Sequence, residues 1–166
     1  MKVAKRFRWE GAHRLPWHQG SCANLHGHSY RMVVELEGKP DERGMLIDFK
    51  EIKRVLGPLV DAFDHATLVA ESDEELLDVI RAMEWKHHVL PFDSTSENLA
   101  SYVIDYLGRN GYESLVRHDV STIRVRLEET ETCYAEMSRP VSAYASSEKG
   151  DEGVGQWEPA SVAPAT

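Results

Sequence analysis

Four stretches of this chain switch between apolar and polar residues at almost every step, and that period of two limits the possible folds more than any other feature. In residues 2–12, Val3, Lys5, Phe7, Trp9 and Gly11 share one face. In 29–38, Tyr30, Met32, Val34 and Leu36 oppose Arg31, Val33, Glu35 and Glu37. In 120–128, Ile123, Val125 and Leu127 oppose Arg124, Arg126 and Glu128, and Cys133, Ala135 and Met137 alternate after them. Successive side chains of an extended strand point to opposite sides, so each stretch reads as a strand with one buried face. The turn-rich segment from Gly38 to Gly44 stops the second strand.

Helical spacing fills the middle of the chain. Asp48 offers an N-cap, with Glu51 placed to close a capping box. Ile52, Val55, Leu56, Leu59 and Val60 follow as a buried stripe, and Gly57-Pro58 interrupts this helix or ends it early. A second box lies between Ser94 and Glu97, ahead of the stripe Leu99, Ala100, Val103, Ile104 and Leu107, with Gly108 or Gly111 as the stop. Ser72 to Glu75 resembles a cap before Leu76, Leu77, Val79, Ile80 and Met83, which predicts a short extra helix within 70–93. The order strand, strand, helix, helix, strand, strand predicts an α+β protein: an antiparallel sheet with two main helices on one face. Residues 146–166 are Ser, Gly, Ala, Pro and acidic residues around one tryptophan. They read as a flexible acidic tail beyond a single domain of 1–145.

The net charge of −9 argues against a nucleic-acid partner, because phosphate binding needs concentrated Lys and Arg. A small anion in a locally basic pocket remains compatible with it. No window approaches the roughly 18 continuous apolar residues of a membrane span. The opening Met1-Lys2-Val3-Ala4-Lys5-Arg6 lacks a signal-peptide core, so a cytoplasmic protein without membrane partners is expected. The two cysteines, Cys22 and Cys133, are then expected to be free thiols.

Chemistry concentrates in Cys22-Ala23-Asn24-Leu25-His26-Gly27-His28, with His13 upstream. His26 and His28 are two apart at the entry to a strand, so they share a face. His13 ends the first strand, whose natural neighbour is the second. Three imidazoles can hold zinc and leave one position open, as catalytic sites do; nickel, iron or copper suit the same donors. Cys22 is either a thiol activated beside that metal or the fourth ligand of a closed structural site. Asp64-His65 follows the first helix as a carboxylate next to an imidazole, which is a proton-transfer pair if the two meet in space. Glu129 continues the apolar face of the third strand, where an inward carboxylate can receive two N–H groups of a heterocycle. A strand bulge would turn Glu128 inward instead. His87-His88 reads as the polar face of the 70–93 segment, with metal binding as the alternative.

Taken together, Phe7 to His13, Cys22 to Tyr30, Leu46-Ile47-Asp48-Phe49, Asp64-His65 with Leu68, Thr95 to Ala100 and Glu129-Thr130 resemble the 6-pyruvoyl-tetrahydropterin synthase family. The resemblance runs in order from residue 3 to about 138. It implies the tunnelling fold, with a four-stranded antiparallel sheet and two helices per subunit. Subunits then join edge to edge into a homohexamer, a trimer stacked on a trimer, with active sites between subunits. It also implies zinc (Zn2+) on His13, His26 and His28, and Cys22 as the base acting on the substrate side chain. His65, oriented by Asp64, is the second proton-transfer group, and Glu129 anchors a pterin ring.

Within the family, three residues separate Cys22 from His26. That short gap resembles the bacterial 6-carboxy-5,6,7,8-tetrahydropterin synthases of queuosine biosynthesis. Their expected reaction converts 7,8-dihydroneopterin triphosphate to 6-carboxytetrahydropterin, acetaldehyde and triphosphate. The pyruvoyl branch, which eliminates triphosphate without carbon–carbon cleavage, is the alternative. A structural zinc protein that binds partners is a further one. The segment 70–93 and the tail depart from the family's compact members.

Overall fold

The computed structural model describes residues 1–145; the expected acidic tail of 146–166 lies outside the described residues. In chain order the elements are β1 (Lys2–His13), β2 (His26–Gly38), α1 (Phe49–Phe63), β3 (Ala66–Ala70), α2 (Glu74–Ala82) and β4 (His87–Leu90). Then come α3 (Ser96–Asn110), α4 (Tyr112–Arg117), β5 (Val120–Glu128) and β6 (Tyr134–Pro140). The strands form one mixed sheet in the order β4-β3-β1-β2-β5-β6.

The four alternating stretches build the antiparallel part. β1 pairs with β2 from Lys2 opposite Glu37 to His13 opposite His26, β2 pairs with β5, and β5 pairs with β6. The expected four-stranded antiparallel sheet is corrected by β3 and β4, which add two parallel strands beyond β1. β3 meets β1 only at Gly11 to His13, and β4 lies on β3. Every residue of β3 is buried, so it carries no alternation to read. Parallel strands covered on both faces show this pattern.

The helices cover one face. α1 packs over β1, β3 and β4, and α3 packs over β5 and β6. Tyr30, Met32, Val34 and Leu36 of β2 and Ile123, Val125 and Leu127 of β5 fill the core beneath them. Trp9 stacks on Tyr30 at 5.1 Å between ring centroids, with Phe63 of α1 against its other flank. Under α2 a smaller cluster joins Val69, Leu76, Leu77 and Ile80. The opposite face carries a groove of about 550 Å³ lined by Arg6, Arg8, Arg31, Arg124 and Arg126 with Glu35, Glu128 and Glu136.

The caps differ in detail from expectation. Asp48 does cap α1, accepting from the Lys50 N–H at 2.8 Å. Glu51 does not close the box; its carboxylate takes Arg54 and the Ser114 hydroxyl. Nor does Gly57-Pro58 end the helix, which continues to Phe63. Pro58 is exposed there, so the carbonyl that loses its donor is on the watery side. Thr95, not Ser94, caps α3 by accepting from the Asn98 N–H, and Ser94 turns toward the site instead. α2 forms where the short extra helix is expected, capped by Asp73. The His87-His88 pair is not a polar face, because His88 is buried with its ring 4.9 Å from Phe63. No described helix is long and apolar enough to cross a membrane.

Candidate metal centre and active site

The β1–β2 register brings three imidazoles together. His13 sits directly opposite His26, and His28 lies two residues along the same strand, on the same face. One ligand nitrogen from each of the three lies within 4.8 Å of the others. His13 is fully buried and the other two are half-buried. The ring centroids are 4.6–5.1 Å apart.

Hydrogen bonds fix which nitrogens face inward. His13 Nδ1–H donates to the Ser94 carbonyl at 2.9 Å, and His26 Nδ1–H donates to the Asn24 carbonyl at 2.8 Å. In the neutral tautomer that each bond selects, Nε2 carries the lone pair, and the two Nε2 atoms stand 3.2 Å apart. Two lone pairs at that separation repel unless a cation lies between them. Tetrahedral zinc with bonds of about 2.05 Å places its ligand atoms about 3.3 Å apart, which matches. His28 Nε2 is buried without a hydrogen-bond partner, as a nitrogen reserved for a metal is. A backbone carbonyl on the outer nitrogen is the usual support of a metal-bound histidine. Burial pushes the pKa of His13 and of His28 below the ordinary imidazole value, which favours the neutral, ligating form. The residues present thus fit a three-histidine metal centre.

The Glu129 carboxylate lies 3.2 Å from His13 Nε2 and 3.7 Å from His28 Nε2. Glu129 is just past the end of β5, with its N–H donating to the Cys133 carbonyl. Glu128, still in β5, faces the arginine groove on the other side of the sheet. The choice between the two is thereby decided in favour of Glu129 as the inward carboxylate. Next to it, burial raises the pKa of the Tyr30 phenol and keeps it protonated.

Cys22 is a half-buried free thiol in a single turn of 3-10 helix, Ser21–Ala23, on the loop joining His13 to His26. Its carbonyl accepts from the Leu15 N–H at 2.8 Å, which folds the loop back on the end of β1. The metal-type cluster among the described residues comprises the three histidines without it.

Asp64 and His65 do meet in space: Asp64 Oδ2 lies 3.0 Å from His65 Nδ1. β1 holds both. The Glu10 N–H donates to Asp64 Oδ1 at 3.0 Å, and the Glu10 carbonyl accepts from the His65 N–H at 2.6 Å. The Glu10 N–H, and then His65, keep the Asp64 carboxyl below its ordinary pKa. His65 takes a left-handed backbone conformation, with φ of 55°, which is uncommon outside glycine. A cavity of about 360 Å³ is lined by Glu10 of β1, His28 and Ser29 of β2, and His65 and Thr67. Three supports were not legible in the motifs: the carbonyls of Asn24 and Ser94, and the main chain of Glu10. All three act through backbone atoms, which no residue type announces.

Three clustered imidazoles and, on the same α+β scaffold, a carboxylate-oriented histidine define a candidate metalloenzyme. Residues 2–140 match the family model described as 6-pyruvoyl tetrahydropterin synthase, and the chain belongs to that family. It is similar to the 6-carboxy-5,6,7,8-tetrahydropterin synthase of Haemophilus influenzae, with 31% identity over 81% of this chain and 96% of that one. The putative 6-carboxy-5,6,7,8-tetrahydropterin synthase of Archaeoglobus fulgidus is 32% identical over 79% of this chain and 90% of its own. Among solved structures, the Plasmodium falciparum 6-pyruvoyl tetrahydropterin synthase has the same fold. Its TM-score is 0.67 at 18% identity, covering 84% of this chain and 98% of that one.

Proposed function

We propose that this chain is a zinc-dependent 6-carboxy-5,6,7,8-tetrahydropterin synthase. It would take 7,8-dihydroneopterin triphosphate and water to 6-carboxytetrahydropterin, acetaldehyde and triphosphate. The observation that carries the reading is the convergence of His13, His26 and His28, together with the Asp64–His65 pair on the same scaffold, in a family whose similar members are named for this activity. The short gap between Cys22 and His26 supports the carboxy branch over the pyruvoyl one.

His13, His26 and His28 would hold the metal, which when bound polarises hydroxyls of the substrate side chain. Cys22 is assigned the removal of a proton from that side chain, a role open to a free thiol on the loop between His13 and His26. His65 is assigned the complementary proton transfer. Its Nδ1–H bond to Asp64 keeps Nε2 free to accept a proton and stabilises the imidazolium that follows. Glu129 is assigned the amide and amino edge of the pterin, for which an inward carboxylate has two acceptor oxygens. The arrangement of edges supports a ring assembly. β3 covers β1 only at its end, so Lys2 to Trp9 and the outer side of β6 present unpaired strand edges among the described residues. Edge-to-edge joining of copies into a hexamer hides them.

Product analysis tests the reading. Zinc-loaded protein incubated anaerobically with 7,8-dihydroneopterin triphosphate is expected to yield 6-carboxytetrahydropterin and trapped acetaldehyde. Pyruvoyl product without acetaldehyde moves the chain to the other branch. No consumption by a folded, zinc-bound oligomer refutes the assignment. Cys22→Ala is expected to retain zinc and lose turnover; loss of zinc with it would make Cys22 a structural ligand.

A further inference from the structure

The last turn of α1 is electrostatically misassembled when taken alone. A helix C-terminus favours cations, yet this one carries Asp61 and is capped by Asp64, with no basic residue in its last turn. The missing cation comes from elsewhere. Lys86, immediately before β4, donates from its ammonium to the Asp61 carbonyl at 2.8 Å and to the Asp64 carbonyl at 2.6 Å. These are carbonyls that the helix leaves without intrahelical donors.

The second of these bonds falls at a decisive place. The Asp64 carbonyl and the His65 N–H belong to one peptide unit. Lys86 holds its oxygen, and the Glu10 carbonyl holds its N–H at 2.6 Å. A planar peptide gripped at both ends cannot rotate, and that rotation is what would release His65 from φ of 55°. Lys86 is itself held, since its carbonyl accepts from the Thr67 N–H at 3.1 Å, two residues beyond His65. Of the groups that fasten the Asp64–His65 turn, Glu10 comes from β1 and Lys86 from the link between α2 and β4.

We propose that Lys86 is a positioning residue for the Asp64–His65 pair: it clamps the peptide between them and thereby fixes the direction of the His65 imidazole. The catalytic part of this claim rests on the proton-transfer role given to His65 above. The 70–93 segment then serves the site as a brace for one of its two halves.

The experiment compares the full-length, zinc-loaded wild type with Lys86→Met and Lys86→Arg. Lys86→Met keeps the length of the stem but removes every donor; Lys86→Arg keeps donors. Peptide-resolved hydrogen exchange over 61–68 is read first, because it needs no substrate. The proposal expects exchange about tenfold faster there in Lys86→Met, unchanged exchange in β2 around His26 and His28, and restoration in Lys86→Arg. Turnover of the pterin is expected to show kcat lower by about tenfold with KM within about twofold, again restored by arginine, since misdirecting a proton-transfer group costs rate more than binding. Unchanged exchange over 61–68 overturns the clamp. Faster exchange with unaltered kcat overturns the positioning role and leaves Lys86 a helix cap. If the wild type consumes no pterin, the proposed function fails, and the exchange result still decides whether Lys86 holds the turn.

Discussion

His88 makes the stability of this protein depend on pH in a way that one substitution can isolate. The residue is buried between β3 and the helical layer, opposite Leu68 and against the Phe63 ring. Burial, with the neighbouring His87 adding to it, pushes its pKa from 6.5 down to about 4. The unfolded chain binds that proton near the ordinary value and the folded chain does not. Between the two values the unfolded state therefore holds more protons, and stability rises with pH. The contribution is whole above about 6.5, is lost as pH falls, and stops changing below about 4. Going from about pH 7 to about pH 5, linkage gives a loss of about 2 kcal/mol from this side chain. For a domain of this size that is a fall in Tm of about 4–8 °C.

Two other imidazoles, the buried His13 and the half-buried His28, have lowered pKa values too, so the wild-type curve alone does not assign the effect. His88→Leu does. It removes the titrating group and keeps the site apolar, and the comparison is of slopes, so any constant offset in stability drops out. Metal-free wild type and His88→Leu are melted in parallel from about pH 7.5 to about pH 4.5. The separation between their Tm values should change by about 5–10 °C across that range, in favour of the variant at low pH. Parallel curves would refute the reasoning, because they mean that His88 is protonated as readily folded as unfolded.

Zinc binding by the histidine cluster predicts mass-action stabilisation. Free zinc at about one hundred times its Kd should add about 2.7 kcal/mol, an increment that a chelator reverses and His13→Ala abolishes in thermal melts. Gly108 lies under Tyr144, and an added Cβ would sit 2.2–2.6 Å from the ring. Gly108→Ala should cost about 1–3 kcal/mol by denaturant unfolding, and an unchanged midpoint would show that Tyr144 moves aside freely. Arg14 reaches the buried Asp73 cap of α2 with two bonds of 2.7 and 2.6 Å. Arg14→Gln should destabilise by about 2 kcal/mol, since it leaves a buried carboxylate short of its charged donors.

Where one physical cause dominates, the sequence pattern and the structure agree. β1, β2, β5 and β6 each have one buried and one wet face, so alternation reports them directly. α2 was legible because Asp73 caps it and Leu76, Leu77 and Ile80 repeat at helical spacing. β3 and β4 were not, since Ala66 to Ala70 is buried on both sides and His87 to Leu90 is four residues long. α4 begins at the glycine that also ends α3, and a stop signal hides a start placed on the same residue. Pro58 misleads for a related reason: its penalty is that of an unsatisfied carbonyl, and an exposed carbonyl is satisfied by water.

The site divides along a different line. The side chains that the structure brings together, the three histidines and the Asp64–His65 pair, could be named from the sequence because metal ligation and proton transfer demand particular residue types. What directs those side chains is largely main chain: Ser94 and Asn24 carbonyls for His13 and His26, and both backbone groups of Glu10 for the Asp64–His65 pair. Any residue supplies a carbonyl, so selection at such positions acts on the path of the backbone. The path near His13 is set by β4 running into Ser94. The path near His65 is set by α1 ending against Lys86. Lys86 precedes β4 and Ser94 follows it, so both constraints come through the chain that leads into and out of that strand. One four-residue strand is thereby coupled to both groups, through a carbonyl beyond its end at His13 and an ammonium before its start at His65.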